Sequence, residues 1–172
     1  MTILRSVSAM ARAEDALWAA ATTSPFLDGV RDGTLAATAF DRWLEQDRLF
    51  LVALTRAWSG VIAAGAGPIA DLPLLAGGVS AFVAEIEWFD EVASARGLDL
   101  GAADLPAAAA YNSWLLDVAR RSYPVALAAF WAVEAAYLDA WTSARSRPVP
   151  SLRRALDVAG VRDVPVFARR CV

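Results

Sequence analysis

The stretch FDRWLEQDRLFLVALTRAW, residues 40–58, decides the fold. Phe40, Trp43, Leu44, Phe50, Leu51, Leu54 and Trp58 return at intervals of three and four, the period of one face of an α-helix. Alternating β-branched runs, which would argue for strands, are missing. Upstream, Asp32-Gly33-Thr34 reads as a turn leading into this helix, with Thr34 as its N-cap. Downstream, Gly65-Ala66-Gly67-Pro68 is a breaker cluster, so the helix is expected over about residues 36 to 64.

Working outward, the same period predicts a first helix over about residues 3 to 21, with Leu17 and Trp18 turned inward. Ser24-Pro25-Phe26 breaks it, because the residue before a proline avoids helical backbone angles. Further helices are expected over about 74 to 95, closed by Arg96-Gly97, over about 107 to 121, and over about 124 to 144. Pro124 suits the first turn of the last. From Arg145 on the text changes, with Pro148, Pro150, Pro165, several valines and clustered arginines, and one short helix is expected near Leu152 to Val158. The expectation is an all-α domain over residues 1–144, followed by an atypical tail over 145–172.

Composition excludes much chemistry. There is no histidine among the 172 residues, and all 16 basic residues are arginine. A Ser-His-Asp triad and histidine-ligated haem, zinc or di-iron are therefore ruled out, as are a pyridoxal Schiff base and a phosphate-loop lysine. Cys171, the one cysteine, can form no internal disulfide, and a position one residue from the end preorganises a nucleophile poorly. No metal or cofactor is expected. A net charge of -3 argues against nucleic acid as a partner. The longest uncharged run, Ala57 to Ala70, is too short for a membrane span, and the N-terminus lacks a signal-peptide apolar core, so a cytoplasmic protein is expected.

Three carboxylates stand where apolar residues belong. Asp47 lies on the aromatic face of the 36–64 helix, Glu134 among Phe130, Trp131, Tyr137 and Leu138, and Glu85 between Phe82, Trp88 and Phe89. Burying a carboxylate costs free energy unless it is paired, and raises its pKa. Acids converging on rings suggest a pocket for a flat, partly polar heterocycle, held by stacking and by carboxylates on its ring nitrogen or amino group. The plainer alternative is that each carboxylate meets an arginine across the core or sits at a solvated edge, and that the rings are ordinary packing.

In combination these segments resemble the TenA/thiaminase II family. The carriers are Ser24-Pro25-Phe26, Asp32-Gly33-Thr34-Leu35, Phe40, Trp43-Leu44-Glu45-Gln46-Asp47 with Leu49-Phe50-Leu51, then Glu85-Ile86-Glu87-Trp88-Phe89, Tyr111-Asn112-Ser113-Trp114 and Ala126-Leu127-Ala128-Ala129. The resemblance covers about residues 15 to 141. It implies a haem-oxygenase-like all-α fold, incomplete at the C-terminus, and hydrolysis of an aminopyrimidine or thiamin in pyrimidine salvage, often by a tetramer. It also implies that Asp47 holds the pyrimidine ring nitrogen and amino group, with Phe50 and Tyr111 against the ring. Departures are equally specific. Phe50 replaces a tyrosine, Ser24 a histidine, and Val133 stands where one branch carries its nucleophilic cysteine. The adjacent Glu134 resembles the arrangement of the cysteine-free branch.

The expected catalytic pair is thus Asp47 and Glu134, with Phe50, Tyr111, Trp131, Tyr137 and Glu85 binding the substrate. The tail departs from the family pattern and reads as truncated or frameshifted. Two other readings stand beside the hydrolase: a non-catalytic binder of a pyrimidine-like heterocycle, and a helical protein that homodimerises without a ligand. Either enzyme or binder would be a homo-oligomer, dimer or tetramer.

Overall fold

The computed structural model describes residues 15–65, 67–101 and 103–145. The expected first-helix residues 3–14, the short helix near 152–158 and Cys171 lie outside the described residues. All regular structure among the described residues is helical: α1 (Asp15–Thr22), α2 (Pro25–Asp32), α3 (Ala37–Ala63), a 3-10 turn (Ile69–Asp71), α4 (Leu72–Arg96), α5 (Pro106–Val118) and α6 (Tyr123–Arg145). The all-α expectation holds. The helices group into two compact units, whose described parts are residues 37–126 and residues 15–36 with 127–145.

The larger unit is organised by α3, which packs against both α4 and α5. Leu44, Leu51, Leu54, Trp58 and Val61 form its buried stripe, at steps of three and four if Asp47 is counted in the line. On α4, Leu75, Gly78, Phe82, Phe89 and Val92 form a matching stripe, with Glu85 at the equivalent interruption. Such spacing is the seam of two helices packed along their length. Arg48 pairs with Asp90, and Arg96 Nε donates to Asp41 Oδ1 at 2.6 Å. Residue numbers therefore rise on one helix as they fall on the other, and the pair is antiparallel. Gly78 has a packing reason, because a Cβ there would come within 3.1 Å of the Trp58 indole.

The stretch Ile69–Arg96 is also long and apolar enough, by length and composition, to cross a membrane. Its buried stripe is the one that faces α3. α4 ends at Gly97 (φ 66°), whose N–H reaches the Ser94 carbonyl while the Leu98 N–H reaches that of Ala93. This closing turn satisfies carbonyls the helix would leave open, and it needs a left-handed residue.

The smaller unit holds a helix that periodicity did not show. α2 is assembled from local signals: Ser24 Oγ accepts from the Leu27 N–H at 3.2 Å, Pro25 occupies the first turn, and Gly33 (φ 70°) closes the end. Ser24-Pro25-Phe26 ends α1 as expected and starts α2 as well. Two expectations are corrected. Thr34 is not an N-cap; its N–H is bonded to the Gly29 carbonyl at 2.9 Å, inside the α2 closing turn, and α3 begins at Ala37. Leu17 is 69% exposed rather than turned inward. Its neighbour Trp18 does turn in, stacking on Trp131 at 6.4 Å and donating from Nε1 to Asp139 Oδ2 at 3.0 Å. A short helix has room to bury only one of two adjacent side chains, and the larger ring with a hydrogen-bond partner takes the place.

Candidate functional site

Asp47 occupies the middle of the α3 seam line and is half-buried. Phe50 follows it by three residues, so the two share a helix face. Phe50 stacks on Tyr111 of α5 at 5.8 Å, and Tyr111 stacks in turn on Trp114 at 5.5 Å, with interplanar angles of 23° and 19°. The three rings make a short ladder with Tyr111 in the middle, and Tyr111 and Trp114 are 42% and 43% exposed. The structure thus brings together Phe50 and Tyr111, two of the expected binding residues. Trp114, which is not among the expected binding residues, extends the ladder from its place three residues after Tyr111 on the same helix.

Glu85 sits at the corresponding interruption of the α4 seam. Burial alone pushes its carboxyl up to about 7 from an ordinary 4.5, and no hydrogen bond or ion pair reaches it among the described residues. Its neighbours along the stripe, Phe82 and Phe89, are fully buried, and Phe89 is also packed by Trp43 and Trp88. An acid of this kind carries a proton near neutral pH and can give it up.

The remaining expected residues, Trp131, Glu134 and Tyr137, lie on the part of α6 that belongs to the smaller unit. Trp131 is engaged by Trp18, and Tyr137 by Trp141, at 6.1 Å. Phe26 meets the edge of Trp141 at 6.4 Å, which gives the Ser24-Pro25-Phe26 segment a packing role. Glu134 is half-buried, next to the buried Val133.

Two side chains in the larger unit do work that composition and spacing did not reveal. Gln46 bonds with both ends of its amide to the loop before α5. Asn112, only 7% exposed, donates from Nδ2 to Asp104 Oδ1 at 3.2 Å. At the far end of the unit the Tyr123 hydroxyl donates to Asp71 Oδ2 at 2.7 Å. Burial and that carboxylate together push the phenol up to about 12. Among the described residues no group of three or more His, Cys, Asp or Glu is arranged to hold a metal ion.

An antiparallel helix pair with one acid in each seam, flanked by a ring ladder on a third helix, defines an all-α protein with its acids and rings on helix faces. A solved structure of a TenA homologue from Pyrococcus furiosus has the same fold, with a TM-score of 0.79 over 95% of this chain and 81% of that chain at 22% identity. The family model described as TENA/THI-4/PQQC matches residues 12–154, and the chain belongs to that family. It is 32% identical over 137 residues to a probable bifunctional TENA-E protein of Glycine max. That match covers 73% of this chain and 57% of the relative, so the chain spans a little over half of the relative's length.

Proposed function

We propose that this chain is a cytoplasmic hydrolase of pyrimidine salvage in thiamin metabolism, acting on an aminomethylpyrimidine or on thiamin. Water adds the hydroxyl and the carbon–nitrogen bond to the ring's methylene breaks; hydroxymethylpyrimidine leaves with ammonia or an amine from an aminomethylpyrimidine, or with the thiazole from thiamin. Asp47 holds the ring nitrogen and the exocyclic amino group. Hydrogen bonding or protonation there draws electrons from the ring and makes the methylene carbon electrophilic. Glu134 activates the water, the role that the resemblance to the family's cysteine-free branch implies, with Val133 at the position where the other branch carries its cysteine. Phe50 and Tyr111 supply the ring wall, with Trp131 and Tyr137 as further ring contacts and Glu85 as a carboxyl that carries a proton near neutral pH.

The observation that carries this reading is Asp47, a half-buried carboxylate in the seam of α3, three residues from a ring that stacks on Tyr111. Family membership supports the substrate class. Exposed apolar residues on α4, among them Leu72, Leu74 and Val83, suit pairing of copies into a homo-oligomer. Purified protein incubated with an aminomethylpyrimidine is expected to release ammonia stoichiometrically with the hydroxymethyl product. Micromolar binding without release would instead make the chain a binding protein for the heterocycle, and neither binding nor release would end both readings.

A further inference from the structure

Gln46 stands one residue before Asp47 and four before Phe50, yet its side chain works on another element. Its Oε1 accepts from the Leu105 N–H at 2.8 Å, and its Nε2 donates to the Ala103 carbonyl at 3.3 Å. A primary amide offers an acceptor and a donor side by side, so it can pair with two backbone groups at once. The loop lacks its own fastening here. Leu105 precedes α5 in an extended conformation (φ -64°, ψ 150°) with no side-chain cap, and Pro106 has no N–H to contribute. Asp104, between the two clamped residues, is held by Asn112 from within α5. Residues 103, 104 and 105 are therefore all tied down, two of them by Gln46.

Six residues past Leu105, Tyr111 returns to α3 and stacks on Phe50. The contacts form a closed circuit, leaving α3 at Gln46 and rejoining it one turn later at Phe50. With 3.6 residues per turn, a slip of one residue at the start of α5 would swing Tyr111 by about 100° and off that ring. We infer that Gln46 is a positioning residue, which sets the start of α5 and through it the placement of Tyr111 against Phe50, the ring one turn beyond Gln46. The choice of amide over acid follows. A carboxylate at position 46 would keep the acceptor for Leu105 but turn a negative oxygen toward the Ala103 carbonyl; once protonated it regains a donor. The consequence for substrate rests on the proposed hydrolase function, while the consequence for α5 does not.

The test uses the full chain with Gln46→Leu, Gln46→Glu, Tyr111→Ala and the Gln46→Leu/Tyr111→Ala double variant. Amide exchange at Leu105 should rise about tenfold or more in Gln46→Leu and stay near wild type in Gln46→Glu, which keeps the acceptor. KM for an aminomethylpyrimidine should rise about tenfold in Gln46→Leu with kcat changed less than about threefold, and by under about twofold when Tyr111 is already alanine. In Gln46→Glu the ratio of its KM to that of the wild type at the same pH should fall toward one as pH is lowered through the carboxyl range, the division cancelling the titration of Asp47 and Glu134 that both proteins share. Unchanged exchange at Leu105, or a KM effect that adds in full to that of Tyr111→Ala, overturns the inference. A wild type with no turnover defeats the proposed function alone; the cycle is then read from denaturation midpoints, where additivity overturns the role of Gln46. Should Gln46→Leu fail to fold, the Gln46→Glu pH profile relative to wild type, or Glu variant midpoints relative to wild type if there is no turnover, decides: no pH dependence overturns it.

Discussion

α3 and α4 are built on the same plan and face opposite demands. Each buries a stripe at steps of three and four, and each interrupts that stripe once with an acid, Asp47 or Glu85. Outside the stripe they part. The outer positions of α3 include Arg42 and Arg56, whereas the first half of α4 leaves Leu72, Leu74 and Val83 in solvent. α4 is apolar enough to pass as a membrane span, yet only its seam positions are covered. The difference teaches that spacing, and not apolar content, selects which residues a packed helix buries. It also separates two kinds of acid, one three residues from a ring of the ladder and one spaced three and four residues from buried rings of its own helix.

The largest effect that would sharpen this contrast is chemical. Asp47→Asn keeps the size of the side chain but removes the charge, and kcat/KM toward an aminomethylpyrimidine is expected to fall about a thousandfold. Activity retained within tenfold would remove Asp47 from the reaction. In stability, Phe82→Ala in the α4 seam should cost about 3–4 kcal/mol in chemical denaturation, because it empties a fully buried site. Leu74→Ala, one step off the same stripe and 70% exposed, should stay within about 0.5 kcal/mol. Equal losses at the two positions would break the comparison.

Glu85 gives a pH-dependent version of the same test. Its folded pKa of about 7 lies above the ordinary 4.5, so the folded state holds the proton more tightly than the unfolded state does. Stability is therefore lost as pH rises from about 4.5 to about 7, and the full penalty is present above that. Glu85→Gln should stabilise the protein by on the order of 2 kcal/mol at pH 8 and by little at pH 4. A gain independent of pH would mean that desolvation of the charge is not the cause. The smallest effect is local: Ser24→Ala removes the cap of α2 and should cost about 1 kcal/mol.

Legibility followed the range of the interactions. The limits of α3, α4 and α6 fall within a few residues of those read from the chain, because Gly65, Gly97 and Pro124 act on the backbone beside them. α5 ends at Val118, a few residues short of the expected end near 121. α2 was missed because its eight residues are too few for a periodic stripe, although Ser24, Pro25 and Gly33 spell out its start and stop. Among the candidate site residues, the seam positions of Asp47 and Glu85 were visible in the spacing. The Phe50–Tyr111 contact and both bonds of Gln46 were not, since each joins residues that only α3–α5 packing brings together.

By itself the chain determined that it would be helical, where its long helices would stop, and which positions would be greasy or acidic, all consequences of backbone geometry and of neighbours three or four residues away. Tertiary packing alone decided which arginine meets which aspartate, how far a seam acid is stripped of water, and that one amide on α3 would fasten the start of α5. Those outcomes depend on distance through space, desolvation and hydrogen-bond geometry between segments more than forty residues apart, which no local pattern encodes.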